Sequence, residues 1–392
     1  MKQDVILDIA LEVTWTQDLQ KKVMERIYYI VPNLTFCQFE DGKICIETGI
    51  NDEDINELTL NIQKYISSLI VTEERISLHV LQINEHQSVY NQDPYQTLLV
   101  SQNVMETLPG VFVLGKDFLR RFKMLDDMVK QYALACNGEE LLVPSQLPVS
   151  SLISNGYLVD FPHHAIFSGP LTHDVEALEL VAATSKKHRE DTGLVTSEIQ
   201  KHLSVPTSVL APTVCYHCFE ALSKTVIECK NKVYTALGHC HRHESHNLEG
   251  LMRLQHFRMR ELIYLGTSDF IEEQLNLMLD WMTNILTSCN VSYRVVVATD
   301  PFFLGEAEKK ALYQTTFELK RELQIYIPHA DRWIAVGSFN NHQNVIMKKY
   351  NIEMKNQTNA MSGCIGFGYE RFIYALYSQF GFDDGLWPEN FR

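Results

Sequence analysis

The chain has 392 residues, of which 45% are hydrophobic, and this is more than one compact core usually holds. Its 34 Lys and Arg against 49 Asp and Glu give a formal charge of −15, and no basic run offers the positive surface that a nucleic-acid backbone requires. No apolar stretch is long enough to span a membrane. We therefore expect a soluble protein with one large and one small domain, and composition argues against a membrane or a nucleic acid as partner.

Residues 1–75 predict a small α+β domain. Apolar and polar residues alternate over 4–15 as in a strand, and 16–31 has the periodicity of a helix. Two further strands meet at Asp41-Gly42, which is a strong hairpin signal, and a helix with an acidic start follows. The predicted order is β-α-β-β-α, and no histidine, glycine-rich turn or basic stripe indicates a chemistry for this domain.

Residues 76–114 carry mixed signals and are interpreted as a connector. From 115 to 392 the chain alternates helices with short apolar strands, without internal repeats or low-complexity tracts. The first helix of this part is stopped by Asn137-Gly138, and a strand, a turn and another helix follow. These features predict that 115–392 forms one folded unit.

Nine cysteines and no signal-peptide pattern indicate a cytoplasmic protein with reduced thiols. Two local groups have spacings that are typical of zinc ligands. Cys215 and Cys218 form a C-x-x-C pair, and the run HCHRHESH at 239–246 contains four histidines and a cysteine. On these residues alone, a zinc finger is one interpretation of the chain.

Three short runs carry most of the information: CHRHE at 240–244, HFRMRE at 256–261 and GCIGFGYERF at 363–372. Together they resemble the signature motifs of class II aminoacyl-tRNA synthetases. The wider match resembles the amino acid:[carrier protein] ligases, truncated relatives of the atypical seryl-tRNA synthetase of methanogens. It covers about 115–392 and includes APTVCYH, DPFF at 300–303, KREL at 320–323 and SFNNH at 338–342. The resemblance implies an α+β fold in which a mostly antiparallel sheet is flanked by helices.

The resemblance also implies a zinc ion held by Cys215, Glu261 and Cys364. The zinc finger is then rejected, because the run 239–246 contains residues that the resemblance assigns to nucleotide binding. Two thiolates and one carboxylate leave a fourth position open on a tetrahedral ion, where the amino group of a small amino acid can bind. The structural alternative is that both cysteines are small buried side chains and Glu261 is a surface acid.

ATP binding is assigned by the same resemblance to four residues. Arg242 matches the arginine of the second class II motif that grips the α-phosphate, and Arg371 matches the arginine of the third motif that touches the γ-phosphate. A guanidinium suits both tasks because it is always charged and binds phosphate oxygens in pairs. Glu244 matches a residue near adenine or the substrate amine, and Phe257 matches the aromatic that stacks on adenine. A salt-bridging acid and a core phenylalanine are the structural alternatives for these two.

The amino-acid pocket is implied by Glu322, Ser338, Asn340 and His342, which match lining positions of the family. Seryl enzymes carry an acid as a magnesium ligand three residues before the matching serine, whereas this chain has Ala335 there. Mg²⁺ is still expected on the ATP phosphates, whose charge needs neutralising. Asp300 follows a predicted strand and fits both a site residue and a plain Asp-Pro turn.

A two-step ligase reaction follows from the resemblance. ATP and a small amino acid give an aminoacyl-adenylate and pyrophosphate, and the phosphopantetheine thiol of an acyl or peptidyl carrier protein then attacks the activated carbonyl. The acidic balance favours a carrier over tRNA. Two alternatives stay open, namely seryl-like charging of tRNA and a synthetase-like module that binds without catalysis. The helix and strand after residue 115 resemble the dimer-forming first motif of class II synthetases, so we expect a homodimer.

Overall fold

The computed structural model describes residues 3–10, 17–31, 34–40, 43–50, 55–75, 79–300 and 307–392. Five elements in the predicted order open the chain: β1 (Gln3–Ala10), α1 (Gln17–Ile30), β2 (Leu34–Glu40), β3 (Lys43–Ile50) and α2 (Ile55–Arg75). The strands form an antiparallel sheet in the order β1-β3-β2. Val23 and Ile27 of α1 and Ile62 of α2 recur at helical spacing and share one buried core with the sheet. The predicted turn at Asp41-Gly42 lies outside the described residues.

The remaining elements build a larger unit around a second core. Its helices are α3 (Tyr95–Val100), α4 (Lys116–Ala135), α5 (Val149–Ser154), α6 (Tyr157–Asp160), α7 (Val175–Lys187), α8 (Thr192–Lys201), α9 (Cys215–Ala221), α10 (Ser268–Ser288), α11 (Ala307–Thr316), α12 (Val345–Lys349) and α13 (Tyr369–Phe380). Its strands are β4 (His79–Asn84), β5 (Val104–Leu108), β6 (Val111–Leu114), β7 (Glu139–Glu140), β8 (Gln146–Pro148), β9 (Phe167–Ser168), β10 (Ser208–Leu210), β11 (Val226–Ile227), β12 (Lys232–His241), β13 (His256–Gly266), β14 (Tyr293–Val297), β15 (Lys320–Ile327), β16 (Arg332–Gln343), β17 (Glu353–Met354) and β18 (Met361–Gly368). Among the described helices, none is both long and apolar enough to cross a bilayer.

Eight strands form the central sheet, in the order β4-β14-β15-β16-β18-β13-β12-β7. Every neighbouring pair is antiparallel except β12 and β7, so the mostly antiparallel sheet predicted from the motifs is confirmed. Helices α4, α10 and α13 cover one face and α9 and α12 lie on the other. Because side chains alternate along a strand, Leu262 and Tyr264 of β13 enter the main core while Glu261 and Ile263 face the side of α9.

The stretch interpreted as a connector, 76–114, contains regular structure. Residues 79–84 form the edge strand β4, which pairs with β14 over Tyr293–Val297, and α3 and the β5–β6 hairpin follow. Five of the six β4 residues are exposed, so the strand lacks the apolar stripe by which a sequence signals a sheet. The division into 1–75, 76–114 and 115–392 stays a prediction.

A buried ion pair joins helix α4 to the sheet. Arg260 of β13 is only 2% exposed, and its Nε and Nη2 donate to the two carboxylate oxygens of Asp126 at 2.6 and 3.0 Å. Its Nη2 also reaches Glu140 at 3.2 Å, and Nη1 reaches the Thr235 hydroxyl at 3.3 Å. Without Asp126, Arg260 would keep only the more exposed Glu140 as a carboxylate partner, and a buried charge that loses its main partner costs more than the pair contributes when intact.

Asp126→Ala is therefore expected to lower the free energy of unfolding by about 3 kcal/mol. Urea denaturation followed by circular dichroism measures the change. Asp127→Ala is the matched control, because Asp127 is the next residue on the same helix and is exposed. It should stay within about 0.5 kcal/mol of the parent chain. Equal unfolding midpoints for the two variants would show that the buried charge of Arg260 does not depend on Asp126.

Candidate active site

A cavity of about 620 Å³ lies on the face of the central sheet that carries Glu261. This volume is in the range that holds a small-molecule ligand. Strands β13, β15, β16 and β18 form its floor, and residues of α6, α9, α11 and α12 form its walls. It brings together every site residue predicted from the sequence: Cys215, Arg242, Glu244, Phe257, Glu261, Glu322, Ser338, Asn340, Cys364 and Arg371.

Three potential metal ligands converge at the floor of this cavity. One ligand atom each of Cys215, Glu261 and Cys364 lies within 4.8 Å of the other two, and all three residues are buried. Cys215 begins α9, whereas Glu261 and Cys364 lie on the paired strands β13 and β18. Among the described residues this is the only such group, so the sequence-local finger built on Cys218 and 239–246 does not form there.

Hydrogen bonds within the protein orient the Glu261 carboxylate without the help of a ligand. Its Oε1 accepts from the Thr213 hydroxyl at 2.5 Å and from the Val214 amide at 3.0 Å, and its Oε2 accepts from the Cys215 amide at 2.9 Å. The segment before α9 therefore wraps around the carboxylate and aims Cys215 at the same point. Sequence analysis missed Thr213, although it belongs to the matching run APTVCYH.

A glycine opposite Glu261 leaves room for this arrangement. Gly366 of β18 pairs with Glu261 in the register, and a Cβ atom there would lie 2.5 Å from the Met259 methyl and 3.4 Å from Glu261 Cγ. A side chain at position 366 would displace one of these neighbours. Gly368, by contrast, has open space around its Cα and immediately precedes helix α13.

The charges of this cluster call for a cation. Burial, with the negative charge of Cys364, raises the pKa of the Glu261 carboxyl to about 7. A hydrogen bond with Cys364, burial and the charge of Glu261 also raise the pKa of the Cys215 thiol. Both shifts mean that removing the protons from the cluster costs free energy in this dry pocket, and a divalent ion bound between the three ligand atoms would offset that cost. The donor set therefore fits a thiolate-binding ion such as zinc.

The amide of Asn340 and the imidazole of His342 contact the Cys364 side of the cluster. Asn340 Nδ2 lies 3.6 Å from Cys364 Sγ and donates to the Ser338 hydroxyl at 3.2 Å. His342 Nε2 lies 3.4 Å from the same sulfur, and its Nδ1 lies 3.2 Å from the Ser362 hydroxyl. Hydrogen bonds from the Cys215 thiol and from His342 and Asn340 lower the pKa of Cys364, so this sulfur is the readier thiolate.

The two predicted phosphate-binding arginines face the cavity from opposite segments. Arg242 Nε donates to the Pro212 carbonyl at 3.1 Å, and Arg371 Nη1 donates to the Ala335 carbonyl at 3.0 Å. In the part of the chain that the structure describes, neither guanidinium forms an ion pair with a carboxylate. Burial and the positive charges of Arg253 and Arg242 lower the pKa of Arg371 to about 10, so it stays charged at neutral pH. Two repelling cations on one cavity are suited to a polyanion.

Glu244 and Phe257 lie beside Arg242. Glu244 is 7% exposed and accepts a hydrogen bond from Arg253 Nε at 2.8 Å, and the Phe257 ring lies 5.3 Å from the Arg242 guanidinium carbon. Strand β12 ends at His241, and Arg242 and Glu244 both lie in the loop that follows it.

A charged line of three residues, partly missed by sequence analysis, forms another wall. Lys320 Nζ lies 2.7 Å from Asp300 Oδ1 and 3.4 Å from Glu322 Oε1. Burial alone would lower the pKa of Lys320, but the two carboxylates raise it. Asp300 is thus fixed by an ion pair in the cavity and is more than a turn residue, while Pro301 to Phe303 lie outside the described residues. Lys320 opens the matching run KREL, which was the available signal.

The chain matches known proteins in sequence and in fold. A model of the tRNA synthetase class II core domain (G, H, P, S and T) matches residues 206–380. Amino acid--[acyl-carrier-protein] ligase 1 of Bradyrhizobium diazoefficiens is 31% identical over 255 residues, which cover 65% of this chain and 75% of that ligase. The chain belongs to the class II tRNA synthetase family. The resemblance inferred from the motifs is confirmed.

Other members of the class II family also match this chain, and the share of each protein that is covered differs among them. The type-2 serine--tRNA ligase of Methanopyrus kandleri is 26% identical over 294 residues, covering 71% of this chain and little more than half, 55%, of the ligase. In the crystal structure of M. kandleri SerRS with A. aeolicus tRNASec, a chain superposes with a TM-score of 0.73 and 19% identity, covering 98% of this chain and 76% of that one. The class II fold is therefore confirmed.

Several buried histidines give this class II protein a pH-dependent stability. Burial lowers the pKa of His164, in the cavity wall, to about 2 and that of His217, on α9, to about 4. Both are under 10% exposed, at 8% and 7%. In the unfolded chain each histidine takes up a proton near pH 6.5, whereas the folded chain stays neutral there. The stability that these two neutral histidines contribute is fully present above pH 6.5. It is lost as the pH falls from 6.5 towards their pKa values in the folded chain.

His217→Gln is expected to make the acid loss of stability shallower. Each fully buried histidine contributes a slope of about 1.4 kcal/mol per pH unit below pH 6.5, so at pH 5.5 the variant should lose about 1 kcal/mol less than the parent chain. Urea midpoints at pH 7.5 and 5.5 measure this difference. His173→Gln serves as control because His173 is exposed. Parallel pH curves for the parent and both variants would exclude burial of His217 as a cause.

Proposed function

We propose that the protein uses ATP to activate a small amino acid as an aminoacyl-adenylate and transfers it to the phosphopantetheine thiol of a carrier protein. One observation carries this proposal. A single cavity holds both a Cys-Glu-Cys cluster suited to a metal and two arginines without carboxylate partners among the described residues. The Cys-Glu-Cys cluster suits the amino group of an amino acid, and the two arginines suit the polyphosphate of ATP. Activation requires the amino acid and ATP to be bound next to each other.

In the first step, an oxygen of the amino-acid carboxylate attacks the α-phosphorus of ATP, and the bond from that phosphorus to the pyrophosphate oxygen breaks. Negative charge on the transferring phosphoryl group grows at this point. Arg242 is proposed to bind the α-phosphate and Arg371 the γ-phosphate, so both cations are already oriented when the charge develops. Phe257 and Glu244 flank the adenine side, and Mg²⁺ accompanies the ATP substrate as in other class II synthetases.

Cys215, Glu261 and Cys364 are proposed to hold a zinc ion. When bound, the ion would offer an open fourth position to the deprotonated α-amino group. The residues around it then decide which amino acid fits. Ser338, Asn340 and Glu322 line the same part of the cavity, and Asn340 is held by its hydrogen bonds to Ser338 and Cys364. Their polar side chains are proposed to contact the bound amino acid.

In the second step, the sulfur of the acceptor thiol attacks the carbonyl carbon of the adenylate, AMP leaves with the electrons of the broken bond, and the thiol loses its proton. The formal charge of −15 supports a carrier over tRNA, because a large RNA contact needs a broad positive surface. The 31% identity to a carrier-protein ligase over 75% of its length also supports it. We further propose a homodimer formed through α4 and the strand after it, and light scattering should then give about twice the 45.2 kDa of one chain.

Seryl-like charging of tRNA is the second candidate. It is favoured by matches to type-2 serine--tRNA ligases of Methanococcus maripaludis that extend over 91% of this chain. Such matches reach into the five elements from β1 to α2, residues 3–75, which we call the N-terminal module. A binding module without catalysis is the third. Amino-acid-dependent exchange of pyrophosphate into ATP separates the third candidate from the other two.

Transfer assays decide the acceptor. Labelled amino acid that supports exchange is offered to a phosphopantetheinylated carrier and, in parallel, to bulk tRNA. We expect label on the carrier alone, and the carrier without its phosphopantetheine arm is the matched control. Label on tRNA alone would refute the carrier assignment while leaving adenylate formation intact. Absence of exchange with every amino acid would refute both ligase candidates.

A further inference from the structure

The N-terminal module contacts the loop that carries Arg242 and Glu244. Helix α1 packs against the short 3-10 turn Ser245–Asn247, which follows this loop directly. The Tyr28 ring stacks on the His246 ring with centroids 4.1 Å apart and an interplanar angle of 12°. An offset aromatic stack of this kind both buries area and fixes the orientation of the two rings.

The next residue of α1 reaches a second wall of the cavity. The Tyr29 ring lies 4.9 Å from the His163 ring, and His163 is adjacent to His164 in the cavity lining. The His164 carbonyl accepts a hydrogen bond from the His243 amide at 3.0 Å, so the two contacted segments are joined to each other. Two consecutive tyrosines thus cover a pair of linked segments from outside the cavity.

The charge pattern places Tyr29 next to the nucleotide side of the cavity. Burial, followed by the negative charge of Glu244, raises the pKa of the Tyr29 hydroxyl, and Arg253 opposes this. Glu244 and Arg253 are the pair joined at 2.8 Å beside the predicted adenine site. The module therefore lies against the back of the residues that are proposed to bind ATP.

The loop needs such support. Residues 242–244 lie beyond the end of β12, where only separate backbone hydrogen bonds hold them, from the Arg242 amide to the Gln255 carbonyl and from the His243 amide to the His164 carbonyl. Ser245 adopts φ +52°, a left-handed conformation that is unfavourable for a residue with a side chain. Strained backbone of this kind persists only where surrounding contacts hold it in place. The Tyr28–His246 stack is immediately adjacent to the strained residue.

We infer that the N-terminal module is a positioning element for ATP binding: through Tyr28 and Tyr29 it holds the 242–247 loop in the conformation that presents Arg242 and Glu244 to the nucleotide. The inference rests on the proposed function in one respect, that the cavity binds ATP. Neither tyrosine is proposed to touch the nucleotide. The module thus acts on the first half-reaction, and its contribution is to affinity for ATP more than to recognition of the amino acid.

Calorimetric titration of the full-length protein with ATP and Mg²⁺ tests the inference directly. Tyr28→Ala is expected to weaken ATP binding about 3- to 10-fold, the range given by the loss of one aromatic stack. His246→Ala removes the other ring and should weaken it equally, while the double variant should be little weaker than either single one. Tyr28→Phe keeps the ring and should bind within about twofold of the parent chain.

Phe36→Ala is the control within the same module, because Phe36 lies on β2 and is 47% exposed. It should leave ATP affinity unchanged. In the exchange assay, the KM for ATP should rise in Tyr28→Ala while the KM for the amino acid stays constant. A merely structural role for Tyr28 would move both constants or would reduce the active fraction of protein instead.

Unchanged ATP affinity in Tyr28→Ala and His246→Ala would overturn the inference, and so would an equal loss in Tyr28→Phe. These outcomes are independent of the reaction assigned to the protein. If the parent chain binds ATP but exchanges pyrophosphate with no amino acid, the proposed function fails, whereas the comparison among variants still decides the role of the module. A parent chain that binds no ATP overturns both.

Discussion

Arg242→Ala is expected to reduce amino-acid-dependent pyrophosphate exchange by about 100- to 1000-fold, the effect of removing one oriented charge from a developing anion. The guanidinium is held by the Pro212 carbonyl and lies over Phe257, so it is oriented before ATP arrives. Because no described carboxylate pairs with it, its removal leaves no stranded acid, and folding should change little. The rate of exchange at saturating ATP and amino acid is the measurement.

Two variants sharpen this test. Arg242→Lys keeps the charge but loses the paired donors, so it should recover only part of the rate. Arg189→Ala removes an exposed arginine that does not line the cavity and should exchange at the parent rate. A wild-type rate in Arg242→Ala, with an unchanged melting temperature, would show that the cavity does not bind the α-phosphate there.

Cys215→Ser should remove the metal and, with it, recognition of the amino acid. The substitution takes one thiolate from a set of three, and we expect the affinity for zinc to fall at least about 100-fold. Metal content of the purified protein and titration against a coloured chelator measure this loss without any assay of activity. Binding of ATP, which we assign to Arg242 and Arg371 as a proposal, should persist.

Cys218→Ser is the matched control for this change. Cys218 is on the same helix, three residues later, and is buried, yet it lies outside the three-residue cluster. It should retain its zinc, whereas loss of zinc from Cys218→Ser and not from Cys215→Ser would revive the finger that the sequence alone allowed. Full exchange by metal-free protein would contradict the role proposed for the ion.

Short runs of the sequence were enough to predict the fold and the candidate site, because their residues line the same cavity. Arg242, Glu261 and Arg371 each lie in one of three short runs, and all three residues line the cavity. The match predicted both the fold and the set of residues that line the site. Their individual roles stay predictions, since position in a cavity does not by itself define chemistry.

Other features depend on contacts between remote segments and left no local trace. Strand β4 is an exposed edge strand, and its pairing with β14 is more than 200 residues away in sequence. The place of Lys320 in the site becomes visible only in the folded chain, where its ammonium group forms an ion pair with Asp300. Tyr28 looks like any residue of an amphipathic helix until His246 is placed against it. A helical or strand period reports which side of an element is buried, and does not report what it is buried against.

A metal ion bound by Cys215, Glu261 and Cys364 would have a further consequence for how long the protein survives. Its ligands are 46 and 103 residues apart along the chain, so an unfolded chain cannot present them together. An ion that binds the folded state alone shifts the folding equilibrium by mass action, by about 2.7 kcal/mol when its concentration is a hundred times the dissociation constant. Supply of the metal would then set the resistance of the protein to heat and to proteases, quite apart from turnover.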